Sequence, residues 1–217
     1  MTSSTNFTTQ SQEHARSLMG NHYLGIEEAL AFGCDPRLSE LRQHAEVPAH
    51  LLAAIENDSQ LREDCLLAIV LPISEDRLRE HAASGDYDHT RAVFSEFRGY
   101  GFRARSTSPW HLVRKLVVTG SLLTVMNNSD VKSLVQKQLS TCPRAHKICE
   151  AEVQAYTQLL YAFVTGEKLQ PGILARTDSD DDGDRIHCGW IDDTFKIHFG
   201  YQGGMPPIGL PTEWTGK

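Results

Sequence analysis

A run of carboxylates around one glycine is the first feature of this sequence that could bind a metal ion. Asp178, Asp180, Asp182 and Asp184 lie within the segment DSDDDGD. This spacing matches the opening of a calcium-binding loop, in which alternating carboxylates turn inward and glycine permits a sharp bend. The twelfth position of such a loop requires glutamate, whereas this chain has Gly189 there. Two interpretations therefore stay open, a plain hairpin turn and a site for a hard cation such as calcium.

A second candidate metal site combines two thiols with an imidazole. Cys142, His146 and Cys149 have the spacing C-x3-H-x2-C, which places them on one face of a helix that includes Cys142. Thiolate and imidazole are good zinc ligands. A fourth ligand would come from Cys188, His187 or His198. The alternative interpretation is two buried cysteines and one surface histidine.

Arginines and aromatic residues are concentrated in residues 97–110, the basic aromatic segment. Its part RGYGFRAR matches the first five positions of an RNA-binding octamer whose aromatics stack on bases. It departs from that octamer at Arg103 and Arg105. Because arginine and aromatic side chains also dominate protein interfaces, we predict a partner surface formed by this segment and the C-terminal tail, residues 202–217. The residues of this surface are Arg98, Tyr100, Phe102, Arg103, Arg105 and Trp214.

The motifs favour a binding protein over an enzyme. The chain has no G-x-S-x-G, P-loop, H-E-x-x-H or dinucleotide-binding fingerprint. The leading hypothesis is a non-enzymatic protein that binds a protein partner. One alternative is a metal-dependent enzyme that uses the acidic run together with His187. The other is a protein that binds single-stranded RNA through Tyr100 and Phe102.

Composition restricts the class of protein further. The net charge of −7 argues against a protein that coats nucleic acid or a membrane surface, because both need a basic field. Five cysteines at irregular spacings are typical of reduced thiols in a cytosolic protein. The first residues lack the basic start and apolar core of a signal peptide. We therefore expect a cytoplasmic protein with no membrane role.

Hydrophobic spacing divides the chain into four segments. Residues 1–20 are polar and predict a disordered tail, and residues 21–60 predict a helical subdomain. Residues 61–166 predict an α/β core with strands at 65–71 and 110–118 and a long helix at 143–165. Residues 167–217 predict a β-meander followed by a tail too rich in Gly and Pro for regular structure. The expected fold is α+β, with a helical N-terminal part, a small central sheet, a long central helix and a C-terminal antiparallel meander.

The register of the meander follows from the alternation of its side chains. Ile186, Cys188 and Trp190 share one side of a strand, as Phe195 and Ile197 share one side of the next. Matching these sides requires a two-residue turn. The turn is formed by residues 192–193 or by residues 193–194, and the first choice sets His187 directly opposite His198.

Four pieces of the chain, taken in order, carry a resemblance to known proteins. They are GIEEALAFG at 25–33, WHLVRK at 110–115, VTGEKL at 164–169 and RTDSDDDGDRIHCGWID at 176–192. In these pieces the chain resembles a group of uncharacterised bacterial proteins. The resemblance implies a bacterial origin and a shared architecture, and it implies no catalytic residue.

Overall fold

The computed structural model describes residues 8–73, 75–82, 109–115, 146–181, 184–191, 194–199, 208–209 and 212–214. In these residues the chain has an α+β fold, with helices packed against two mixed sheets. None of the described helices combines the length and apolar character that a membrane crossing requires.

Short helices make up most of the N-terminal part. The helices are α1 (Gln10–Met19), α2 (Ile26–Ala31), α3 (Leu38–His44), α4 (Ala49–Asn57), α5 (Ser59–Asp64), α6 (Glu75–Ala82) and α7 (Ala151–Thr165). Local capping sets several of their ends. The side chains of Thr9 and Asp58 accept hydrogen bonds from the first turns of α1 and α5. Gly166 ends α7 in the left-handed conformation, with φ of 73°.

Two sheets hold the described strands. The strands are β1 (Tyr23–Leu24), β2 (Cys65–Ile69), β3 (Trp110–Arg114), β4 (His146–Ile148), β5 (Leu174–Asp181), β6 (Asp184–Ile191), β7 (Thr194–Phe199), β8 (Ile208–Gly209) and β9 (Thr212–Trp214). One sheet has the order β1-β2-β3-β9-β4, and the other has the order β7-β6-β5-β8. The predicted strands near 65–71 and 110–118 are therefore neighbours in one sheet.

A single core joins the two sheets. It includes Leu67 and Leu112 from the first sheet and Trp190 and Phe195 from the second. Helix α7 contacts β3, β5 and β6, and its residues from Val153 to Tyr161 are all buried. A helix that is buried on most of its surface needs neighbours on several sides, which explains why it lies against both sheets.

The N-terminal tail is more ordered than predicted. Residues 10–19 form helix α1, although the sequence suggested a disordered tail over residues 1–20. Three apolar residues of this polar segment, Ala15, Leu18 and Met19, pack in or against the core. Their spacing of three and four is a helical stripe, and tertiary packing of that stripe stabilises a helix whose composition alone does not.

The central helix is shorter than predicted. Helix α7 begins at Ala151, and the three residues His146–Ile148 form strand β4 instead of a helical turn. These residues pair with Thr212–Trp214 of the tail. Pairing with a segment more than sixty positions away in the sequence overrides the local helical spacing that favoured a start at residue 143. The tail likewise contains the short strands β8 and β9, contrary to the expectation of no regular structure.

The C-terminal meander has the predicted register. Strands β6 and β7 pair antiparallel, with His187 opposite His198 and Ile191 opposite Thr194. The strands therefore leave residues 192–193 between them, which is one of the two turns that the alternation allowed, and the other is excluded because Thr194 lies in β7. His187 lies in the interior, with only 1% of this residue exposed.

Candidate partner-binding site

The C-terminal tail enters the interior of the first sheet. Strand β9 lies between β3 and β4, with Glu213 opposite both Val113 and Lys147. Because β9 runs antiparallel to β3, with Glu213 opposite Val113, Trp214 lies one position closer than Glu213 to the start of β3, where Trp110 is. Trp110 is the last residue of the basic aromatic segment, and Trp214 belongs to the tail.

Two tryptophans occupy the sheet face that carries the N-terminal helices. Trp110 is buried, and its Nε1 donates a 2.9 Å hydrogen bond to the carbonyl oxygen of His44. Trp214 is half-buried and stacks on the exposed ring of His50, with 6.4 Å between ring centroids. An indole that is held on one side and open on the other is a typical interface anchor.

The opposite face of the same strands carries a buried carboxylate between two basic groups. Glu213 Oε2 lies 2.7 Å from His111 Nδ1, and Glu213 Oε1 lies 2.7 Å from Lys147 Nζ. Glu213 and His111 are almost fully buried, whereas about half of the Lys147 side chain is exposed. We call these three residues the His–Glu–Lys array.

The electrostatics of this array favour an ionised glutamate. Burial by itself would raise the pKa of the Glu213 carboxyl, but the hydrogen bonds and charges of His111 and Lys147 outweigh burial and hold this pKa below its ordinary value. For Lys147, burial lowers the pKa of the ammonium, and the neighbouring Glu213 reverses this effect and raises it. Glu213 and Lys147 therefore stabilise each other's charge.

His111 has one nitrogen with no hydrogen-bond partner among the described residues. This is Nε2, which is shielded from solvent. A carboxylate at Nδ1 fixes the orientation of an imidazole, as it does in catalytic and metal-binding histidines. Within the described parts of the chain, however, no group of three histidine, cysteine or acidic residues is arranged to hold a metal. The array therefore has the geometry of a buried anchor for β9.

The four described cysteines do not supply a nucleophile to this array. Burial, with a smaller contribution from Glu213, raises the pKa of the Cys149 thiol well above its ordinary value. Burial also raises the pKa of the Cys34 thiol to about 11. A reactive cysteine needs the opposite shift, because the thiolate is the nucleophile. Cys34, Cys65, Cys149 and Cys188 are all buried and unoxidised, as expected for reduced structural thiols.

His146 and Cys149 do not lie on the helix face that was predicted to bind zinc. His146 lies in β4, and Cys149 lies between β4 and α7, so they do not share a helix face. Cys142 lies outside the described residues. The strand pairing of residues 146–148 with the tail is the reason that the helical spacing fails here.

The acidic run belongs to a β-hairpin. Asp178 and Asp180 lie in β5, Asp184 begins β6, and Asp181 pairs with Asp184. The strands leave only residues 182–183 for the turn, and these two, including Asp182, lie outside the described residues. The register is irregular between Arg176 and Asp180. This backbone matches the plain hairpin interpretation rather than a long ion-binding loop flanked by helices.

Of the six residues predicted for the partner surface, only Trp214 is among the described residues. Sequence analysis missed Glu213 and His111, which hold the strand that carries Trp214. The only local signal was one histidine within the apolar strand WHLVR. Their contact joins positions 102 residues apart, and the sequence has no periodic pattern that links such distant positions.

Comparison with known proteins places this chain in no family. No protein-family model, curated protein or solved structure matches this chain.

Proposed function

We propose that this chain is a bacterial, cytoplasmic binding protein without enzymatic activity, and that its partner is another protein. The partner surface consists of the basic aromatic segment and the end of the C-terminal tail around Trp214. The observation that supports the proposal is that Trp110, the last residue of the basic aromatic segment, and Trp214 of the tail lie on the same face of neighbouring strands. We therefore expect one partner to contact both segments.

The composition of the two segments indicates the chemistry of the partner. The basic aromatic segment includes Arg98, Arg103 and Arg105 and contains no acidic residue, although the chain as a whole is acidic. Such a local basic patch favours carboxylates, and Trp214 favours an apolar side chain packed against its ring. We therefore expect the partner to present an acidic surface with at least one apolar side chain.

Removing two arginines tests the first half of this surface. We expect the double variant Arg103→Ala/Arg105→Ala to recover at least about tenfold less of a partner that is crosslinked in cells and identified by mass spectrometry, because hot-spot losses reach about 2 kcal/mol. The matched control is Arg77→Ala/Lys196→Ala, which removes the same charge from α6 and β7. Equal recovery by both variants would contradict the placement. Recovery that disappears after RNase treatment would instead favour the RNA hypothesis.

Fluorescence tests the second half. Trp110 and Trp190 each expose only 4% of their surface, so an aqueous quencher such as acrylamide reports mainly on the half-buried Trp214. We expect the identified partner to protect the fluorescence from quenching in the wild type. The variant Trp214→Phe should show neither the accessible emission nor its protection. Partner binding that leaves Trp214 fully accessible to quencher would exclude the tail from the surface.

A further inference from the structure

The first sheet depends on strand β9 for its continuity. The order β1-β2-β3-β9-β4 places β9 between β3 and β4, so these two strands have no direct pairing in the described part of the sheet. Strand β9 pairs antiparallel with both, and Glu213 lies opposite Val113 on one side and Lys147 on the other. If β9 leaves, β3 and β4 each expose an edge, and such edges readily bind another strand. We call the gap that β9 fills the strand slot.

The strand slot selects its occupant through side chains. Strand β9 has only three residues, so its backbone pairing alone gives little specificity. The oxygens of the Glu213 carboxylate, however, lie 2.7 Å from His111 Nδ1 and 2.7 Å from Lys147 Nζ. The Trp214 ring stacks on the ring of His50. The slot therefore fits a strand in which a tryptophan follows a glutamate.

The segment that carries β9 is joined to the two sheets by short strands. Strand β8 has two residues and pairs parallel with β5 at Leu174 and Ala175, and β9 has three residues. A short strand opens locally at a lower free energy than the whole protein unfolds. Residues 208–214, which comprise β8 and β9, are therefore released by the opening of a few backbone pairs, without unfolding of the core that joins the two sheets.

The length of the chain allows this segment to reach another molecule. Eight residues, 200–207, separate β7 from β8, and they lie outside the described residues. A chain of eight residues spans up to about 28 Å when it is extended. Strand β7 can therefore stay in its own sheet while β9 enters the strand slot of a second copy.

We propose that the strand slot binds a second copy of this chain, and that two copies exchange residues 208–214 to form a symmetric dimer. Both copies carry the same β9, so Glu213 of one copy meets His111 and Lys147 of the other in the same register. Each contact that β9 makes within one chain is replaced by an identical contact between chains. The exchange therefore costs little beyond the association of two molecules. This inference does not depend on the proposed partner surface.

Introduced cysteines detect the exchange. Ile148 of β4 lies opposite Thr212 of β9, and opposite residues of antiparallel strands are close enough for a disulfide. The double variant Ile148→Cys/Thr212→Cys should therefore form this disulfide within one chain, which verifies the pairing. The single variants Ile148→Cys and Thr212→Cys are then mixed at about 1 mM, the order of an intramolecular effective concentration, and are incubated without denaturant before oxidation. In this mixture, the two introduced thiols meet when the tail of one copy enters the slot of the other.

Disulfide-linked dimer is the expected product of this mixture. We expect at least about tenfold more of it than in a matched control that mixes Ile148→Cys with Lys196→Cys, because exchange holds the two thiols at a high effective concentration. Lys196 lies in β7, which is not exchanged, so the control measures chance oxidation, including that of the native cysteines. Equal amounts of dimer in the two mixtures would overturn the proposal. So would the absence of the disulfide in the double variant, because β9 would then not pair with β4.

A charge variant assigns the exchange to the His–Glu–Lys array. Adding Glu213→Gln to the Thr212→Cys variant keeps the shape of the side chain and removes its charge. With Ile148→Cys as the other component, we expect about tenfold less dimer, because the charged tail of that copy competes for its own slot. Unchanged dimer, with native circular dichroism of both proteins, would show that the slot does not select Glu213 and would contradict the proposal. No other protein takes part in these measurements, so their outcome is separate from any test of the partner surface.

Discussion

Lys147 lies in a strand of the first sheet, and Lys115 directly follows another strand of it. Both lysines lie near a histidine, but the groups that contact their ammonium atoms differ. Lys147 Nζ lies 2.7 Å from a carboxylate oxygen of Glu213, and the other oxygen of that carboxylate contacts His111. Lys115 Nζ lies 3.0 Å from the imidazole Nε2 of His22. The first ammonium therefore contacts a carboxylate, and the second contacts an imidazole.

The two lysines also differ in how deeply their partners are buried. Glu213 and His111 are buried, so removing either one leaves the other without its partner in a medium of low dielectric constant. Lys115 and His22 are both partly exposed, and water can replace each contact that is lost. A buried and compensated charge stabilises the position of β9.

The largest expected effect is on the buried array. We expect Glu213→Ala to lower the free energy of unfolding by about 3 kcal/mol, because it leaves His111 buried without its carboxylate and removes the neighbour of Lys147. The substitution should also weaken the pairing of β9 with β3, because Glu213 is the residue of β9 that lies opposite Val113. Urea denaturation followed by circular dichroism measures it.

The chain offers a matched control for burial. His14 Nε2 and Glu56 Oε1 also lie 2.7 Å apart, but each side chain is almost half exposed. Glu56→Ala should therefore change the free energy of unfolding by no more than about 0.5 kcal/mol. Similar losses in the two variants would mean that burial does not distinguish the pairs, and the comparison between the arrays would lose its basis.

A smaller effect is expected from pH. The pKa of Glu213 is lower in the folded protein than its ordinary value of 4.5, so its contribution to stability is present above that value and is lost as pH falls through the folded pKa. Below pH 4.5 the wild type should lose more stability than Glu213→Gln, which has no carboxyl to protonate. The difference between their urea midpoints across a pH series isolates this group, because all other carboxylates are common to both proteins. Parallel curves would show that Glu213 is not stabilised as an anion.

Elements with strong local signals were predictable from the sequence. The apolar run that forms β2, the helices within residues 21–60 and the facing sides of the β6–β7 hairpin follow from periodicity and turn length. The β6–β7 hairpin is the clearest case, because alternation and a two-residue turn restrict the register to two choices without any distant contact, and one of them is observed. Features that depend on neighbours in the sequence were therefore predicted well.

Elements that depend on distant pairing were not predictable. Residues 146–148 have helical spacing but form a strand because they pair with the tail, and the tail becomes a strand because it enters between β3 and β4. The His111–Glu213 contact and the closeness of Lys115 to His22 depend on the same long-range topology. Neither lysine array has a local motif, so no argument from spacing could have separated them. Residues 97–109 remain a prediction, because they lie outside the described residues except for Pro109.

The smallest expected effect compares the two lysines directly. We expect Lys147→Met to lower the free energy of unfolding by about 1 kcal/mol, because it removes one of the two groups that stabilise the buried Glu213 anion, although half of the lysine is exposed. Lys115→Met should change it by less than about 0.5 kcal/mol, since both Lys115 and His22 are partly exposed. If Lys115→Met proved as destabilising as Lys147→Met, burial of the partner would not distinguish the two lysine contacts.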